Sequence, residues 1–167
     1  MRRLHAGDPV LVSGTVYTAR DAAHRRLVEL LEAGQALPVD LRGQVIYYCG
    51  PAPTPPGHVI GSAGPTSSYR MDVFTPALHA AGLKATIGKG DRSLDVRQAC
   101  RQYCAVYLVA VGGAGALLAR SVVDAEIVAY EDLGPEALRR LEVVDFPALV
   151  AYDAHGGSVF PGDDPLP

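Results

Sequence analysis

Short apolar runs of strand length alternate with helical patterns along most of this chain, and no other feature restricts its fold as much. Residues 9–17 alternate as a strand does, and residues 21–33 follow with one apolar helical face. Thr18 is predicted to cap this helix and Gly34 to end it. Further strands are predicted at residues 45–49, 58–62, 84–87, 106–111, 127–130 and 148–152, and further helices at residues 75–82, 94–104, 114–122 and 135–141. Such alternation predicts a layered α/β domain.

The composition agrees with one globular domain and argues against several classes of function. The chain has 167 residues, 49% of them hydrophobic, so we expect a single domain with a core at residues 8–160 and an extended tail at 161–167. A net charge of −3 without a block of lysine and arginine argues against nucleic acid as a partner. The apolar runs are too short to cross a bilayer, and the start lacks the apolar stretch of a signal peptide. We therefore expect a cytoplasmic chain with no membrane contact.

Four short segments place positive charge and hydroxyl groups where a small dianion can sit: residues 18–24, 61–68, 70–72 and 87–90. Arg20 and Arg70 lie at or near predicted helix starts, where an arginine is unfavourable unless an anion neutralises it. The guanidinium fork suits carboxylates, and Lys89 stands between two glycines after a strand, where it can point into the same site. Each residue alone leaves an alternative open, a surface salt bridge for the arginines and a solvated turn for Lys89.

These segments, in this order, resemble the beta subunit, or C-terminal domain, of class I iron–sulfur fumarases and the similar L-tartrate dehydratases. The likeness covers residues 8–160 and includes the segments 14–17, 50–51, 129–134 and 145–147. It implies a three-layer β/β/α swivelling-domain fold and a hydro-lyase reaction on a C4 dicarboxylate. It also implies a hetero-oligomer, in which three cysteines of an alpha subunit hold a [4Fe–4S] cluster and this chain holds none.

The resemblance implies roles for individual residues. Arg20, Arg70 and Lys89 bind the substrate carboxylates, and Thr66, the first hydroxyl residue after Gly-Pro, is the candidate catalytic base. A threonine hydroxyl is a weak base at neutral pH, so this role requires neighbouring cations or another proton acceptor. Capping of the next helix is the structural alternative for Thr66. Ser67 is expected to lie behind the substrate contacts, and it stands where the family commonly has a second threonine, a difference that can alter loop packing or substrate preference.

Three further polar residues are predicted to support the site from behind. Asp21 and Asp72 each lie close to an arginine in sequence and are expected to orient the guanidiniums of Arg20 and Arg70. His24 lies one helical turn beyond Arg20, where it can hold Asp21 or a substrate carboxylate. Each also has an ordinary structural explanation, because acids are common at helix starts and histidines often serve as structural hydrogen-bonding residues.

The three cysteines do not form a recognisable metal motif. Cys100 and Cys104 are one helical turn apart and Cys49 ends a predicted strand, whereas iron–sulfur clusters use three or four thiolates, usually in closer loop spacings. Buried reduced thiols are therefore expected, and no metal site in this chain.

The sequence thus predicts the substrate-binding beta subunit of an iron–sulfur hydro-lyase that reversibly hydrates fumarate to (S)-malate at the interface with its alpha subunit. L-Tartrate dehydration is an alternative within the family, because it changes a single substituent of the substrate. A non-catalytic module that binds an anion for sensing or assembly is the alternative outside it.

Overall fold

The computed structural model describes residues 1–163 and 166, in which helices alternate with the strands of one sheet. The strands are β1 (Pro9–Thr18), β2 (Val45–Tyr47), β3 (Ala85–Gly88), β4 (Val106–Val109), β5 (Val122–Ala129) and β6 (Leu138–Tyr152). The α-helices are α1 (Asp21–Glu32), α2 (Thr75–Ala80), α3 (Leu94–Gln102) and α4 (Gly115–Leu118), with short 3₁₀ helices at Ser68–Met71, Ala119–Ser121 and Glu131–Glu136. Within the described residues, no helix combines the length and apolar character needed to cross a membrane.

Five of the strands close into a barrel. The strands β1, β2, β3 and β4 are parallel neighbours, and β6 runs antiparallel to both β4 and β1, so the sheet returns to its first strand. The length of β6 makes this possible, since it faces β1 from Pro9 opposite Leu149 to Thr18 opposite Arg139. Strand β5 pairs with β6 outside this ring. Because the first four strands are parallel, their carboxyl ends meet at one edge of the barrel.

Alternate side chains of the strands enter different cores, as the two-residue period of a strand requires. Val16, Tyr47 and Phe146 lie in a core that receives side chains from every strand of the ring, which is the barrel interior. The neighbouring Ile46 and Tyr48 lie instead in a second core, against α1 and α2. Helices α1 and α2 therefore cover the outside of the barrel on the side of β2.

The predicted α/β class is confirmed, and the strand pairings specify a closed barrel. The three-layer arrangement stays a prediction. Most predicted elements before residue 110 are found within a few residues of their expected bounds. At the start of α1 the capping prediction is wrong: Thr18 ends β1, and Arg20 is the residue that precedes the helix.

Three other predictions are wrong in position or type. Residues 58–62, predicted as a strand, are irregular, and the predicted helix at 114–122 is split into a short α-helix and a 3₁₀ turn before β5 begins. The predicted helix at 135–141 instead covers the end of the 3₁₀ helix Glu131–Glu136 and the start of β6 at Leu138. There Leu138 and Leu141 are both buried at a spacing of three, which imitates a helical face. The predicted tail includes Asp164, Pro165 and Pro167, which lie outside the described residues.

Candidate anion-binding site

The loops that follow β1, β2 and β3 carry the predicted site residues. Arg20 lies two residues beyond β1, and Lys89 directly follows β3. Thr66 belongs to a distant loop, but its N–H donates to the carbonyl of Tyr48 at 2.8 Å, one residue beyond β2. Since these strands are parallel neighbours, the backbone brings all three loops to the same edge of the barrel.

Backbone pairing fixes the hydroxyl-rich segment against the Lys89 loop. Ser67 forms an isolated parallel bridge with Lys89, and the N–H of Ser68 donates to the Lys89 carbonyl at 3.0 Å. The N–H of Lys89 donates in return to Ser68 Oγ at 3.0 Å. The neighbouring Gly88 permits this approach, because a β-carbon there would overlap Ser68 Oγ. The Lys89 ammonium has no carboxylate within 4.0 Å among the described residues.

An ion pair joins the Arg70 loop to the first turn of α1. Arg70 Nη2 lies 2.9 Å from Asp21 Oδ2, and the side chains are 42% and 25% exposed. The pair connects the 3₁₀ helix at Ser68–Met71 to the helix that begins beside Arg20. The pair therefore brings Arg70 to the residue that directly follows Arg20 in the chain.

The side chain of Arg20 lies across Gly50, just beyond β2. A β-carbon at position 50 would stand 2.8 Å from Arg20 Nη1 and 3.0 Å from Arg20 Cδ, closer than side chains tolerate. The Arg20 guanidinium has a loose ion pair, with Nη2 at 3.6 Å from Glu136 Oε1. Its Nε is buried and has no hydrogen-bond partner in the described part of the chain. Arg20 therefore keeps capacity for another anion.

Glu136 performs the capping that the sequence assigned to Thr18. Its Oε2 accepts the N–H of Ala22 at 3.0 Å, in the first turn of α1. A carboxylate at a helix N-terminus is favoured by the helix dipole. The same carboxylate partly neutralises Arg20. One acidic side chain, more than 100 residues later in the sequence, therefore both caps α1 and pairs with Arg20.

His24 is wholly buried and contacts the backbone of Arg20, not Asp21 as predicted. Its Nδ1 lies 2.8 Å from the Arg20 carbonyl, and its ring stands edge-on to Tyr48 at a centroid distance of 5.2 Å. Burial lowers the pKa of His24 to about 4. The neutral imidazole is therefore part of the support beneath Arg20, and no carboxylate is held by it in this structure.

The two aspartates support different arginines from the ones predicted. Asp21 pairs with Arg70, although it is the sequence neighbour of Arg20. Asp72 points away from Arg70, because its Oδ1 accepts the Nε–H of the buried Arg92 at 2.5 Å. Asp72 Oδ2 accepts the N–H of Ser93 at 2.6 Å, ahead of α3. Sequence proximity was a poor guide here, since side chains pair across the loops.

Sequence reasoning missed Gly50, Arg92 and Glu136 as contributors to this site. Gly50 belongs to the segment 50–51, on which the family resemblance partly depends, and the close approach of Arg20 gives the structural reason for a glycine there. No sequence pattern marks Glu136 or Arg92, because their roles arise from contacts between segments far apart in the chain.

At the barrel edge that carries the predicted substrate residues, Arg70 and Lys89 are exposed and Arg20 and Thr66 are half-buried, so this face is open. A concave region of about 520 Å³ is lined by residues such as Ile60 and Arg120, and one of about 280 Å³ by residues such as Pro51 and Arg139. None of the four lines either region. Tyr69 and Val73 stand 66% and 80% exposed on either side of Arg70. A small substrate would be enclosed here only with a second surface against this face.

The cysteines do not converge on a site for an iron–sulfur cluster. Cys49 lies in the barrel interior, whereas Cys100 lies in a separate core beside α3. Burial raises the pKa of both thiols to about 12, which opposes the thiolate form that iron binds. Among the described residues, no group of three or more His, Cys, Asp or Glu side chains could hold a metal ion.

The arrangement suits the binding of a small dianion. Its cations come from Arg20, Arg70 and Lys89, and its acids, Asp21 and Glu136, each contact one arginine. Guanidinium groups form strong charge-assisted hydrogen bonds to carboxylates, and an unpaired ammonium adds a third contact. Hydroxyl groups of the Thr66–Ser68 segment lie in the loop bonded to Lys89.

Comparison with known protein families gives a match over nearly the whole chain. Residues 1–162 fit the family model described as the fumarase C-terminus. The chain is similar to a protein named fumarate hydratase class I, anaerobic, of Escherichia coli, with 42% identity over 151 residues, which cover 89% of this chain and 28% of the relative. It is also similar to fumarate hydratase 2 of Leishmania major, with 38% identity over 92% of this chain and 28% of the relative.

A third relative is matched over most of its own length. It is named putative L(+)-tartrate dehydratase subunit beta, from Methanocaldococcus jannaschii, and it is 40% identical over 96% of this chain and 85% of its own length. By contrast, the chain spans little more than a quarter of the fumarate hydratases that it matches.

Proposed function

Because this chain belongs to the fumarase C-terminus family, we propose that it is the substrate-binding beta subunit of a hydro-lyase that reversibly hydrates fumarate to (S)-malate. One observation carries the proposal: loops distant in sequence place Arg20, Thr66, Arg70 and Lys89 at the same edge of the barrel. The relatives named fumarate hydratase support the reaction and the substrate.

Each residue has a distinct task in this proposal. Arg20 and Arg70 bind the two carboxylates through paired N–H donors, and Lys89 adds a point charge beside them. Thr66 exchanges the proton at the carbon adjacent to the hydroxyl-bearing carbon. The neighbouring cations favour a negatively charged oxygen at Thr66, which eases the loss of its proton. Tyr48 and Ser68 hold the loops in register during the reaction.

A second subunit completes the active site in this proposal. The relative named subunit beta and the open face around Arg70 both support a partner that covers the site. The family resemblance supports an iron–sulfur cluster on that alpha subunit, where it would supply Lewis acidity toward the substrate oxygens. The described residues of this chain do not fit such a cluster, so their contribution is to bind and orient the diacid and to move a proton.

L-Tartrate dehydration is the second candidate, because the relative named for it matches this chain over 85% of the relative's own length. Fumarate hydration remains our proposal because several fumarate hydratases match the chain with comparable identity.

An anaerobic assay of the chain together with its partner subunit tests the proposal. We expect malate and fumarate to be interconverted, and the purified chain alone to be inactive. Turnover of L-tartrate without turnover of malate would transfer the assignment to the second candidate. Binding of dicarboxylates by the complex with no turnover of either acid would favour a non-catalytic anion-binding module.

A further inference from the structure

A buried arginine, which is not among the site residues implied by the family resemblance, lies beneath the proposed site. Arg92 follows β3 by four residues, and its side chain is fully buried. Its guanidinium lies between two aromatic rings, 5.1 Å from the centroid of Tyr48 and 4.8 Å from that of Tyr107. A buried cation between ring faces is favourable, but it still requires hydrogen-bond acceptors for its N–H groups.

The acceptors of Arg92 come from several elements. Nε donates to Asp72 at 2.5 Å, and Nη2 donates to Thr75 Oγ1 at 2.8 Å and to the Tyr48 hydroxyl at 3.3 Å. Nη1 lies 3.4 Å from Thr86 Oγ1 on β3. One guanidinium thus holds together the end of β2, strand β3, the start of α2 and the loop that carries Arg70.

Two routes lead from Arg92 to the substrate-binding residues. The first is Asp72, which lies two residues after Arg70 and is anchored by both Arg92 and the Ser93 N–H. The second is Tyr107, whose ring packs on Arg92 and whose hydroxyl donates to the Gly90 carbonyl at 2.8 Å. Gly90 directly follows Lys89 in the chain.

The Tyr107 hydroxyl also reaches the hydroxyl-rich segment. It lies 2.9 Å from Ser68 Oγ, the atom that accepts the Lys89 N–H. The Ser68 N–H donates in turn to the Lys89 carbonyl, so a shift of Tyr107 would move both loops together. The conformation of the Lys89 loop therefore depends on a ring held by Arg92.

We propose that Arg92 is a positioning residue for the diacid, which fixes Arg70 through Asp72 and fixes Lys89 through Tyr107. This inference rests on the proposed function, because that function identifies the ligand as a diacid. The claim that Arg92 sets the position of the Lys89 loop does not depend on which ligand is bound. A displacement of a binding group by about 1 Å can cost two orders of magnitude in rate, so turnover is a sensitive readout.

Three variants separate this role from a contribution to stability alone. Arg92→Lys keeps the positive charge but loses the planar fork that reaches Thr75 and Tyr48. Tyr107→Phe keeps the ring on Arg92 and removes only the hydroxyl between Ser68 and Gly90. Tyr152→Phe is the matched control, because the Tyr152 hydroxyl accepts the backbone N–H of Arg92 and, within the described residues, is bonded to neither Ser68 nor Gly90.

The experiment measures kcat and KM of the complex, the unfolding temperature, and amide hydrogen exchange at Ser68 and Lys89. We expect Tyr107→Phe to lower kcat/KM about tenfold and Arg92→Lys about 100-fold, with faster exchange at both amides. Tyr152→Phe should lower the unfolding temperature as much as Tyr107→Phe does, with kcat/KM within about twofold of the wild type.

Equal kinetic effects of Tyr107→Phe and Tyr152→Phe would overturn the proposal, as would unchanged exchange at the Ser68 and Lys89 amides in Arg92→Lys. If the wild-type complex turns over no diacid, the proposed function fails. The exchange measurement then still decides whether Arg92 positions the Lys89 loop.

Discussion

Arg70 Nη2 lies 2.9 Å from Asp21 Oδ2, and this contact joins two loops that are separated by about fifty residues in the chain. The pair is partly exposed, with Arg70 at 42% and Asp21 at 25%. Exposed ion pairs contribute little to folding, so the pair is better suited to fixing the orientation of the Arg70 guanidinium than to stabilising the barrel.

The first prediction separates binding from stability at Arg70. In the complex, Arg70→Ala should lower kcat/KM about 100-fold, since charge-assisted hydrogen bonds to a carboxylate contribute about 3 kcal/mol. The free energy of unfolding should fall by about 1 kcal/mol or less. Enzyme kinetics and urea unfolding measure the two effects.

Arg26→Ala is the matched control for Arg70→Ala. The Arg26 side chain is 38% exposed and pairs with Asp132, so its loss removes a similar ion pair from the middle of the same helix, α1. Its kinetics should match the wild type. If Arg70→Ala lost activity only in proportion to its loss of stability, Arg70 would have a structural role and no role in binding.

The second prediction concerns the close approach of Arg20 to Gly50. Gly50→Ala places a methyl group 2.8 Å from Arg20 Nη1 and 3.2 Å from the Pro135 carbonyl, so the guanidinium must move. We expect KM for the diacid to rise roughly tenfold, with a loss of about 1 kcal/mol in unfolding free energy.

Gly64→Ala is the matched control, because it makes the same glycine-to-alanine change in a nearby segment. Its added methyl group would be 3.6 Å from the nearest atom, the Cα of Gly115, which is an ordinary contact. KM should therefore be unchanged. An unchanged KM in Gly50→Ala would mean that Arg20 does not bind the substrate from its observed position.

The third prediction addresses the competition between Glu136 and the substrate for Arg20. Glu136→Gln removes a negative charge 3.6 Å from Arg20 while keeping an acceptor for the Ala22 N–H. Succinate, as an inert diacid, should bind the complex about fivefold more tightly, because a like charge near the ligand is removed. Unfolding free energy should fall by about 0.5 kcal/mol through the lost helix-dipole interaction.

Titration calorimetry measures the succinate affinity, with Glu126→Gln as the control. Glu126 pairs with Arg140 on the β5–β6 side of the sheet, so its replacement should leave the affinity unchanged. Weaker binding in Glu136→Gln would show instead that the carboxylate holds Arg20 in its binding orientation.

The fourth prediction follows from two buried histidines. Burial lowers the pKa of His24 and of His79 to about 4, below the ordinary value of 6.5. Between these values the unfolded chain binds more protons than the folded chain. Stability therefore rises with pH across this window, by about 1.4 kcal/mol per pH unit for each histidine, and is lost as the pH falls from 6.5 toward 4.

Urea unfolding at several pH values between 4 and 7 measures this dependence. His24→Asn and His79→Asn should each reduce the slope by about one proton, whatever their effect on stability at pH 7. A slope equal to that of the wild type in either variant would mean that the histidine is protonated in the folded chain.

The sequence was most informative where local pattern and tertiary role coincide. Strands β1, β3 and β4 and helices α1 and α3 have clear periodicity, so the loops after the strands could be predicted to carry the site. Alternation cannot reveal that β6 pairs with three strands, since pairing partners are set by contacts such as Pro9 with Leu149. The closed barrel was therefore not predicted.

The polar contacts within the site were the least predictable part. Neighbours in sequence suggested Asp72 for Arg70, but Asp72 is drawn toward Arg92, whose burial demands a counter-ion. Glu136 caps α1 across 114 residues of sequence, and no local signal marks such a contact. The candidate site residues remain predictions from the sequence, whereas the contacts they make follow from the packing of the whole domain.

The long β6 strand has a consequence for how the protein is made. During synthesis the chain emerges from the ribosome with β1 first, and β1 has no partner along most of its length until residues 138–149 follow. The loops bearing Arg20, Thr66 and Lys89 would meanwhile rest on an open sheet with two unpaired edges, which is prone to association with other chains. Strand β6 is the last of the barrel strands to be synthesised, so a polypeptide truncated before Leu138 would contain all four proposed substrate residues and still lack the closed sheet that holds them.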